Sequence, residues 1–258
     1  MLKRKTVNSI FIIGLIVLVG LSFFLSFPWY IFLLVGFIWF LLTLFGSFFV
    51  RWNYHLVSLH SNKSTTKNEV AITFDDGPNP QYTPMALELL KKYDAKATFF
   101  CIGKHIEKHP ELFKQIIREG HTVGNHTFSH DNTFGFYGTS KVAHELSKSI
   151  NLVEKLVGLK MRLYRPAFGV TNPSIAEAVN KLGLISIGWN VRSLDTTFRN
   201  EKQVLRRITS KAHKGDIILL HDTSEKSILV LERLLVFLEE SKLKSVTVDD
   251  LLQIKAYV

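Results

Sequence analysis

Cysteine is almost absent from this chain of 258 residues, since Cys101 is the single example. One cysteine excludes an internal disulfide and a cysteine-based zinc site. Cys101 lies within the apolar run ATFFCIG, and a small thiol in such a run is typical of the core.

Charged residues are absent from two long runs, residues 9–27 and 31–50. Each run is close to the roughly 20 residues that cross a bilayer as a helix. The sequence Pro-Trp-Tyr at residues 28–30 is typical of an interfacial turn with aromatic side chains at headgroup depth. The pattern predicts a membrane hairpin of two transmembrane helices over residues 1–50, with the lipid bilayer as a partner.

A signal peptide followed by a buried helix is the alternative for this region. Lys3, Arg4 and Lys5 resemble the basic start of a signal peptide. No A-x-A-like cleavage site follows the first run, however, and the second run is too uniformly apolar for a helix with one face in solvent. We therefore favour a two-span membrane protein.

Acidic residues are outnumbered, with 22 Asp and Glu against 32 Lys and Arg and a net charge of +10. The lysines of the later segments are scattered and form no aromatic-interleaved patch in the sequence, so we predict no nucleic-acid partner. Basic residues flank the hairpin on both sides. Under the positive-inside rule they favour the cytoplasmic face for the catalytic domain, although the side is left open.

A change of composition divides the rest of the chain. Residues 51–68 lose the apolar pattern and end in a Ser/Thr/Asn/Lys cluster, which predicts a linker. From residue 69 to 258, short apolar runs (EVAITF, KATFFCI, HTVGN, LISIGW, DIILLH) alternate with longer segments that have helical spacing. This alternation predicts parallel βαβ units in a single α/β domain, either a nearly closed barrel or a doubly wound open sheet.

Polar side chains follow several of the predicted strands. Asp75 and Asp76 end the first strand, His126 ends the third, and His221 ends DIILLH. Active sites of parallel α/β folds lie at the carboxyl ends of the strands, so we expect these groups to converge.

His126 and His130 are four residues apart in GNHTFSH. Two histidines and one carboxylate can hold a divalent metal while leaving positions open for water and substrate. A metal at this place would also explain the adjacent pair Asp75 and Asp76, because it supplies a positive partner for one aspartate while the other stays free to accept a proton.

Five ordered motifs in residues 69–255 resemble those of the polysaccharide deacetylases with a NodB homology domain, carbohydrate esterase family 4. They are TFDDGPN, KATFFCIG, EGHTVGNHTFSH, RPAFG and ILLHD. The resemblance implies a distorted (β/α) barrel and hydrolysis of N-acetyl or O-acetyl groups on a glycan.

The resemblance also implies a role for each matching residue. Asp75 would be the general base, with Arg165 orienting it, and His221 would be the general acid. Asp76, His126 and His130 would bind a divalent metal, zinc in the first place and cobalt or nickel as alternatives. Leu220 would wall the acetyl pocket, and a backbone N–H near Phe168 would stabilise the oxyanion.

One segment departs from the family pattern, WNVRSLDT at residues 189–196. Asp195 matches an aspartate that the resemblance pairs with Arg165. Arg192 stands where an aspartate is common, and Thr196 stands in place of a pocket tryptophan. We therefore expect altered sugar subsites.

The sequence predicts a metal-dependent hydrolase that deacetylates a polysaccharide or a lipid-linked sugar. The alternative is a catalytically silent carbohydrate-binding domain on the same scaffold. The sugar, the choice between N- and O-deacetylation, and the oligomeric state are left open.

Overall fold

A computed structural model describes residues 3–258. Two apolar helices come first, α1 (Arg4–Ser22) and α2 (Tyr30–Phe48). They pack side by side, with Phe11 stacked on Trp39 and the Trp39 indole donating to the Asn8 side chain at 3.0 Å. Both helices are long and apolar enough to cross a membrane. A signal sequence near the N-terminus has the same length and composition, so these two properties do not distinguish a membrane span from a signal sequence.

In residues 3–258, nine strands form one sheet. They are β1 (Ser58–Leu59), β2 (Glu69–Asp75), β3 (Ala97–Cys101), β4 (Thr122–Asn125), β5 (Leu163–Tyr164), β6 (Ile185–Ile187), β7 (Val191–Arg192), β8 (Ile217–His221) and β9 (Lys244–Ser245).

Eight further α-helices of the described chain lie between or after these strands. They are α3 (Tyr82–Lys92), α4 (Gly103–Lys108), α5 (Pro110–Arg118), α6 (Thr139–Val157), α7 (Pro173–Lys181), α8 (Glu201–Thr209), α9 (Glu225–Glu240) and α10 (Val248–Leu252).

Local sequence signals explain several helix ends. Pro110 is the first residue of α5, where its missing N–H costs nothing. Asn200 and Gln203 form a capping box that starts α8, and Gly158 ends α6 in the left-handed conformation that glycine adopts easily. The pattern did not predict α9. Its stretch SILVLERLLVFL contains few charged residues, and Leu229 and Val236 lie on its exposed face. These apolar side chains obscure in the sequence the stripe that the helix buries.

The strand order is β1-β6-β5-β4-β3-β2-β8-β7, with β9 beside β2, and every ladder between strands is parallel. The order runs steadily from β6 to β2 without the reversal of a doubly wound sheet. In the described part of the chain no ladder joins β1 to β7, so the barrel stays open there. The predicted distorted (β/α) barrel is confirmed.

Alternate residues of each strand face different cores. On β8, Ile218 and Leu220 pack outward with the helix side chains, whereas Ile217 and Leu219 pack inward, next to Trp189. This period of two follows from the pleat of the strand. It also fixes which residues at the strand ends can reach the site.

Residues 51–68, predicted as a linker, pack against the barrel. β1 extends the sheet beside β6, where the buried Ser58 and Ser186 hydroxyls lie 2.7 Å apart. The Asn62 N–H donates to the Gly215 carbonyl at 2.7 Å. The polar composition of this segment does not reveal these hydrogen bonds, because most of them are made by backbone groups, which every residue type carries. The end of α2 also contacts the barrel, since the Ser47 carbonyl accepts the Thr171 N–H at 2.9 Å.

Candidate active site

Asp75 and Asp76 both line one cavity of about 210 Å³. Consecutive residues of a strand point to opposite faces, so an ordinary strand would not bring both carboxylates to one place. β2 ends at Asp75, and Asp76 adopts φ of 75°, a left-handed conformation that is uncommon for residues other than glycine. This turn directs the second carboxylate into the same cavity.

His126 and His130 line the same cavity and lie next to Asp76. Their Nε2 atoms are 3.4 Å and 3.5 Å from Asp76 Oδ1. Among the described residues these three side chains are the only group of this kind whose donor atoms are close enough to share a metal ion, all within 4.8 Å of one another.

The chemistry of these donors suits a divalent metal. The His126 Nδ1 atom lies 3.0 Å from the Arg165 carbonyl, a contact that fixes the ring and turns Nε2 towards Asp76. Burial, with the neighbouring His126, lowers the pKa of His130 to about 4, so its imidazole is neutral and can act as a ligand. Burial opposes ionisation of Asp76, but the neighbouring histidines outweigh it and lower its pKa. Two imidazoles and one carboxylate are a donor set that fits zinc, cobalt or nickel.

Arg165 is fully buried beside Asp75. Its Nη1 atom donates to Asp75 Oδ1 at 3.3 Å and its Nη2 atom donates to the Thr73 hydroxyl at 3.1 Å. The guanidinium lies over the rings of Phe100 and Trp189, at 4.3 Å and 5.2 Å from their centroids. These contacts hold the cation in place, and the cation fixes one oxygen of Asp75.

Asp195 contacts His221, and the predicted pair with Arg165 is wrong. Its Oδ1 atom lies 2.8 Å from His221 Nδ1, and its Oδ2 atom accepts the His221 backbone N–H at 2.9 Å. The Ser193 and Ser227 hydroxyls donate to the same carboxylate. Among the described residues, no ion pair joins Asp195 to Arg165. The loop after β7 brings Asp195 to the end of β8, one strand away from Asp75.

This contact changes the acidity of His221. Burial disfavours the charged imidazole, but the hydrogen bond and charge of Asp195 outweigh burial and raise the pKa of His221 to about 9. The imidazole is therefore protonated at neutral pH. Its Nε2 atom faces the cavity, 4.0 Å from Asp76 Oδ2.

Asp75 and His221 are direct partners in the register of β2 and β8. Both stand at the carboxyl ends of neighbouring strands, as the sequence predicted. The cavity between them thus has a carboxylate on one strand and a charged imidazole on the next.

The walls of the cavity differ from the prediction at one position. Leu219 lines it, whereas Leu220 is buried in the outer core. The prediction that Leu220 lines the site cavity is therefore wrong, and Leu219 takes that place. The period of two, counted back from His221, would have found this residue.

The wall also includes Phe168, Gly169, Trp189, Arg192 and Thr196. The Phe168 ring lies 4.4 Å from the His130 ring, and its backbone is left-handed with φ of 57°. Nearby, the Gly169 and Val170 N–H groups bond within the turn, to the Pro166 and Ala167 carbonyls. The sequence reasoning missed Trp189, and no local signal distinguishes it from an ordinary core tryptophan.

A parallel, incompletely closed barrel with paired acid and base groups and an Asp-His-His donor set defines a class of hydrolase. Comparison with known proteins agrees with this class. The family model for polysaccharide deacetylase matches residues 62–187.

Among curated proteins, a peptidoglycan-N-acetylglucosamine deacetylase of Bacillus cereus is 34% identical over 195 residues, covering 72% of this chain and 89% of that protein. The peptidoglycan-N-acetylglucosamine deacetylase PgdA of Listeria monocytogenes is 33% identical over 189 residues, which is 73% of this chain and 40% of that protein.

Solved structures show the same likeness. The Bc1960 peptidoglycan N-acetylglucosamine deacetylase superposes with a TM-score of 0.73 at 28% identity, covering 77% of this chain and 94% of that chain. The pseudoenzyme BA3943 of Bacillus anthracis superposes with a TM-score of 0.70 at 26% identity, covering 76% of this chain and 69% of that chain.

The chain belongs to the polysaccharide deacetylase family, carbohydrate esterase family 4. It is an enzyme of the hydrolase class that deacetylates polysaccharides.

Proposed function

We propose that this protein is a metal-dependent deacetylase that removes N-acetyl groups, or O-acetyl groups, from an acetylated glycan or a lipid-linked sugar. One observation carries the proposal: the Asp75 carboxylate and the charged His221 imidazole are register partners and line the same cavity as the Asp76, His126 and His130 donor set. A hydrolase that adds water to an amide needs a base, an acid and an electrophile at one place.

Asp75 acts as the general base. Its Oδ1 atom is held by Arg165, so the other oxygen, Oδ2, is the one that accepts a proton from the attacking water. Arg165 is a positioning residue, because it acts through Asp75 and is shielded from the cavity by its own burial. The fixed orientation keeps the base within hydrogen-bond reach of the water.

His221 acts as the general acid. It holds a proton at neutral pH because Asp195 faces its Nδ1 atom, and it gives the Nε2 proton to the departing amine or alcohol. Asp195 in turn is fixed by two serine hydroxyls. The acid and its partner therefore form a unit separate from the Arg165 and Asp75 pair.

Asp76, His126 and His130 would hold the divalent metal, zinc in the first place and cobalt or nickel as alternatives. When bound, such an ion lowers the pKa of water and polarises the acetyl carbonyl. The Phe168 N–H would donate a hydrogen bond to the developing oxyanion. No nucleophilic serine or cysteine is needed, and the single cysteine is buried.

Phe168 and Leu219 would form the acetyl subsite. Thr196 and Arg192 border the outer part of the cavity, where a sugar ring would extend. The small Thr196 side chain leaves room that the tryptophan of the family pattern would fill. This difference supports a substrate preference for this protein that differs from that of relatives with the tryptophan.

The alternative is a catalytically silent domain, and the pseudoenzyme among the structural relatives makes it concrete. A carbohydrate-binding domain has no need for a base, an acid and a metal set in one cavity. Here all six residues of that machinery are present (Asp75, Asp76, His126, His130, Arg165 and His221), which supports the enzyme.

Release of acetate by the purified full-length protein tests the proposal. The substrates are a panel of acetylated glycans and lipid-linked sugars, assayed with zinc, cobalt or nickel. We expect hydrolysis of at least one substrate. A chelator should abolish this hydrolysis, and added metal should restore it. Glycan binding without any acetate release would support the silent domain instead.

The Asp195→Asn variant is expected to lose activity at lower pH than the natural protein. Charged His221 is the acid, so activity holds below its pKa and falls as pH rises through it. Removing the Asp195 charge lowers that pKa by about one unit or more. The measurement is the pH profile of kcat/KM.

The exposed Asp94→Asn variant serves as the control, since the Asp94 carboxylate is 88% exposed. An alkaline limb of the Asp195→Asn profile at the same pH as in the natural protein would show that Asp195 does not set the acidity of His221.

We further propose that α1 and α2 anchor the protein in a membrane with its catalytic domain on the cytoplasmic face. The basic residues on both flanks of the hairpin support this side. A Ser241→Cys variant tests it, because Ser241 is exposed and the natural Cys101 is buried. In intact cells, a membrane-impermeant maleimide is expected to leave the protein unlabelled until the membrane is permeabilised. Labelling of intact cells would show that the catalytic domain faces the outside of the cell.

A further inference from the structure

A second cavity, of about 640 Å³, lies beside the active site. We call it the seam groove and define it by four cations, Arg51, Arg192, Arg207 and Lys211, and two indoles, Trp52 and Trp189. Trp189 and Arg192 also line the active-site cavity, so the two cavities share a wall.

The seam groove lies where the barrel fails to close. Arg192 belongs to β7, which ends the strand order on one side, and His60, which also lines the groove, directly follows β1 on the other side. The turn after α2 supplies Arg51, and α8 supplies Arg207. Residues distant in the sequence thus meet at one opening, which the scattered basic residues of the sequence did not reveal.

The charges of the seam groove are of one sign among the residues that the structure describes. In the described part of the chain, none of the four forms an ion pair with a carboxylate. The Arg207 Nε atom donates to the Arg192 carbonyl at 2.8 Å, which leaves its terminal nitrogens available. Residues 1–68 contain no Asp or Glu at all. An uncompensated group of cations in a concave site attracts an anion.

Aromatic side chains form the rim at the end of α2. Phe48, Phe49 and Trp52 are 59%, 50% and 43% exposed, and Phe49 stacks on Trp52 at 5.3 Å between ring centroids. If α2 spans a bilayer, these rings lie at the interface that aromatic residues favour. The anion that reaches the groove most directly is then attached to a membrane lipid.

We propose that the seam groove binds the phosphate of a lipid-linked glycan, and that the substrate is a sugar joined through phosphate to a membrane lipid. The lipid chain leaves past the aromatic rim, the phosphate lies among the cations, and the sugar crosses the wall formed by Trp189 and Arg192 into the active site. This inference deepens the proposed function and rests on it for the reaction, but not for the phosphate site.

Binding to the full-length protein in neutral detergent micelles tests the site. The probes are a polyprenyl phosphate, the matching polyprenyl alcohol and inorganic phosphate. We expect the polyprenyl phosphate to bind about tenfold or more tightly than the alcohol, because charge-assisted hydrogen bonds add to the apolar contact. Inorganic phosphate should compete weakly, since it lacks the lipid chain.

The Arg51→Gln, Arg207→Gln, Lys211→Gln triple variant should lose that tenfold preference. The matched control is Lys202→Gln, Arg206→Gln, Lys214→Gln, which removes three exposed cations outside the groove, two from α8 and one just beyond it. The control should bind the polyprenyl phosphate like the natural protein.

Equal binding of the phosphate and the alcohol would overturn the proposal, as would an unchanged preference in the triple variant. Competition by inorganic phosphate at the same concentration as the lipid would assign the site to free phosphate instead. Displacement by phosphatidylglycerol at equal concentration would reduce it to a contact with bulk anionic lipid, which also overturns the substrate assignment.

Acetate release separates this inference from the proposed function. The kcat/KM is compared for one acetylated sugar, free or joined to polyprenyl phosphate. Preference for the lipid-linked form, reduced about tenfold or more in the triple variant, supports the inference. Hydrolysis of both forms at equal rates leaves the deacetylase intact and overturns the inference. Tight binding of the polyprenyl phosphate with no hydrolysis of either sugar would refute the deacetylase function and its substrate assignment. The phosphate site would still be supported.

Discussion

The His126→Ala, His130→Ala double variant is expected to bind no divalent metal and to lose measurable hydrolysis. The two imidazoles supply two of the three donor groups that surround one position. Asp76 alone is left, and a single carboxylate holds zinc, cobalt or nickel poorly. Metal content after dialysis and acetate release are the two measurements, and chelation of the natural protein should give the same loss.

The control for this variant is His144→Ala, which removes an exposed histidine of α6. It should keep both metal and activity. Because His130 has a left-handed backbone with φ of 49°, alanine there could weaken folding, so the thermal transition of each variant is recorded. A folded double variant with full activity would refute the metal assignment.

Asp75→Asn is expected to keep the metal and to lower turnover by about two or more powers of ten, the usual scale for a lost general base. Asparagine has the same shape, and its carbonyl can still accept the Arg165 hydrogen bond, but it cannot take a proton from water. The metal donors are unchanged, since Asp75 is not among them. Turnover and metal content are measured on the same preparation.

The matched variant is Asp76→Asn, one residue further along. It should lose metal affinity, because the shared oxygen between the two histidines loses its charge. Loss of metal in Asp75→Asn together with retention in Asp76→Asn would show that the two aspartates have exchanged roles.

The coupling between site residues follows the contacts that the structure reveals. Arg165 holds Asp75, and Asp195 holds His221. Substitutions within either pair should be far from additive, since each pair acts as a unit. The predicted pair of Asp195 with Arg165 failed because the family pattern gives the order of motifs along the chain, whereas the partner depends on which strand ends lie side by side.

The sequence by itself determined much of this protein. Apolar runs separated by amphipathic segments predicted a parallel α/β domain, because strands and helices bury apolar side chains with different periods, and the family resemblance selected the barrel. The polar groups at the strand ends were expected to converge, because such groups meet at one edge of a parallel sheet. The family, the reaction and the role of each site residue came from the resemblance of the five motifs.

The tertiary structure alone decided how these groups combine. The left-handed turn at Asp76 brings two consecutive carboxylates into one cavity, and the pleat of β8 puts Leu219 rather than Leu220 on its wall. The sequence also did not show that Arg51, Arg192 and Arg207 share one groove, because they stand on a turn, a strand and a helix far apart in the chain. Contacts of this kind depend on backbone angles, strand register and the place where the barrel stays open, and these follow from the packing of the whole chain.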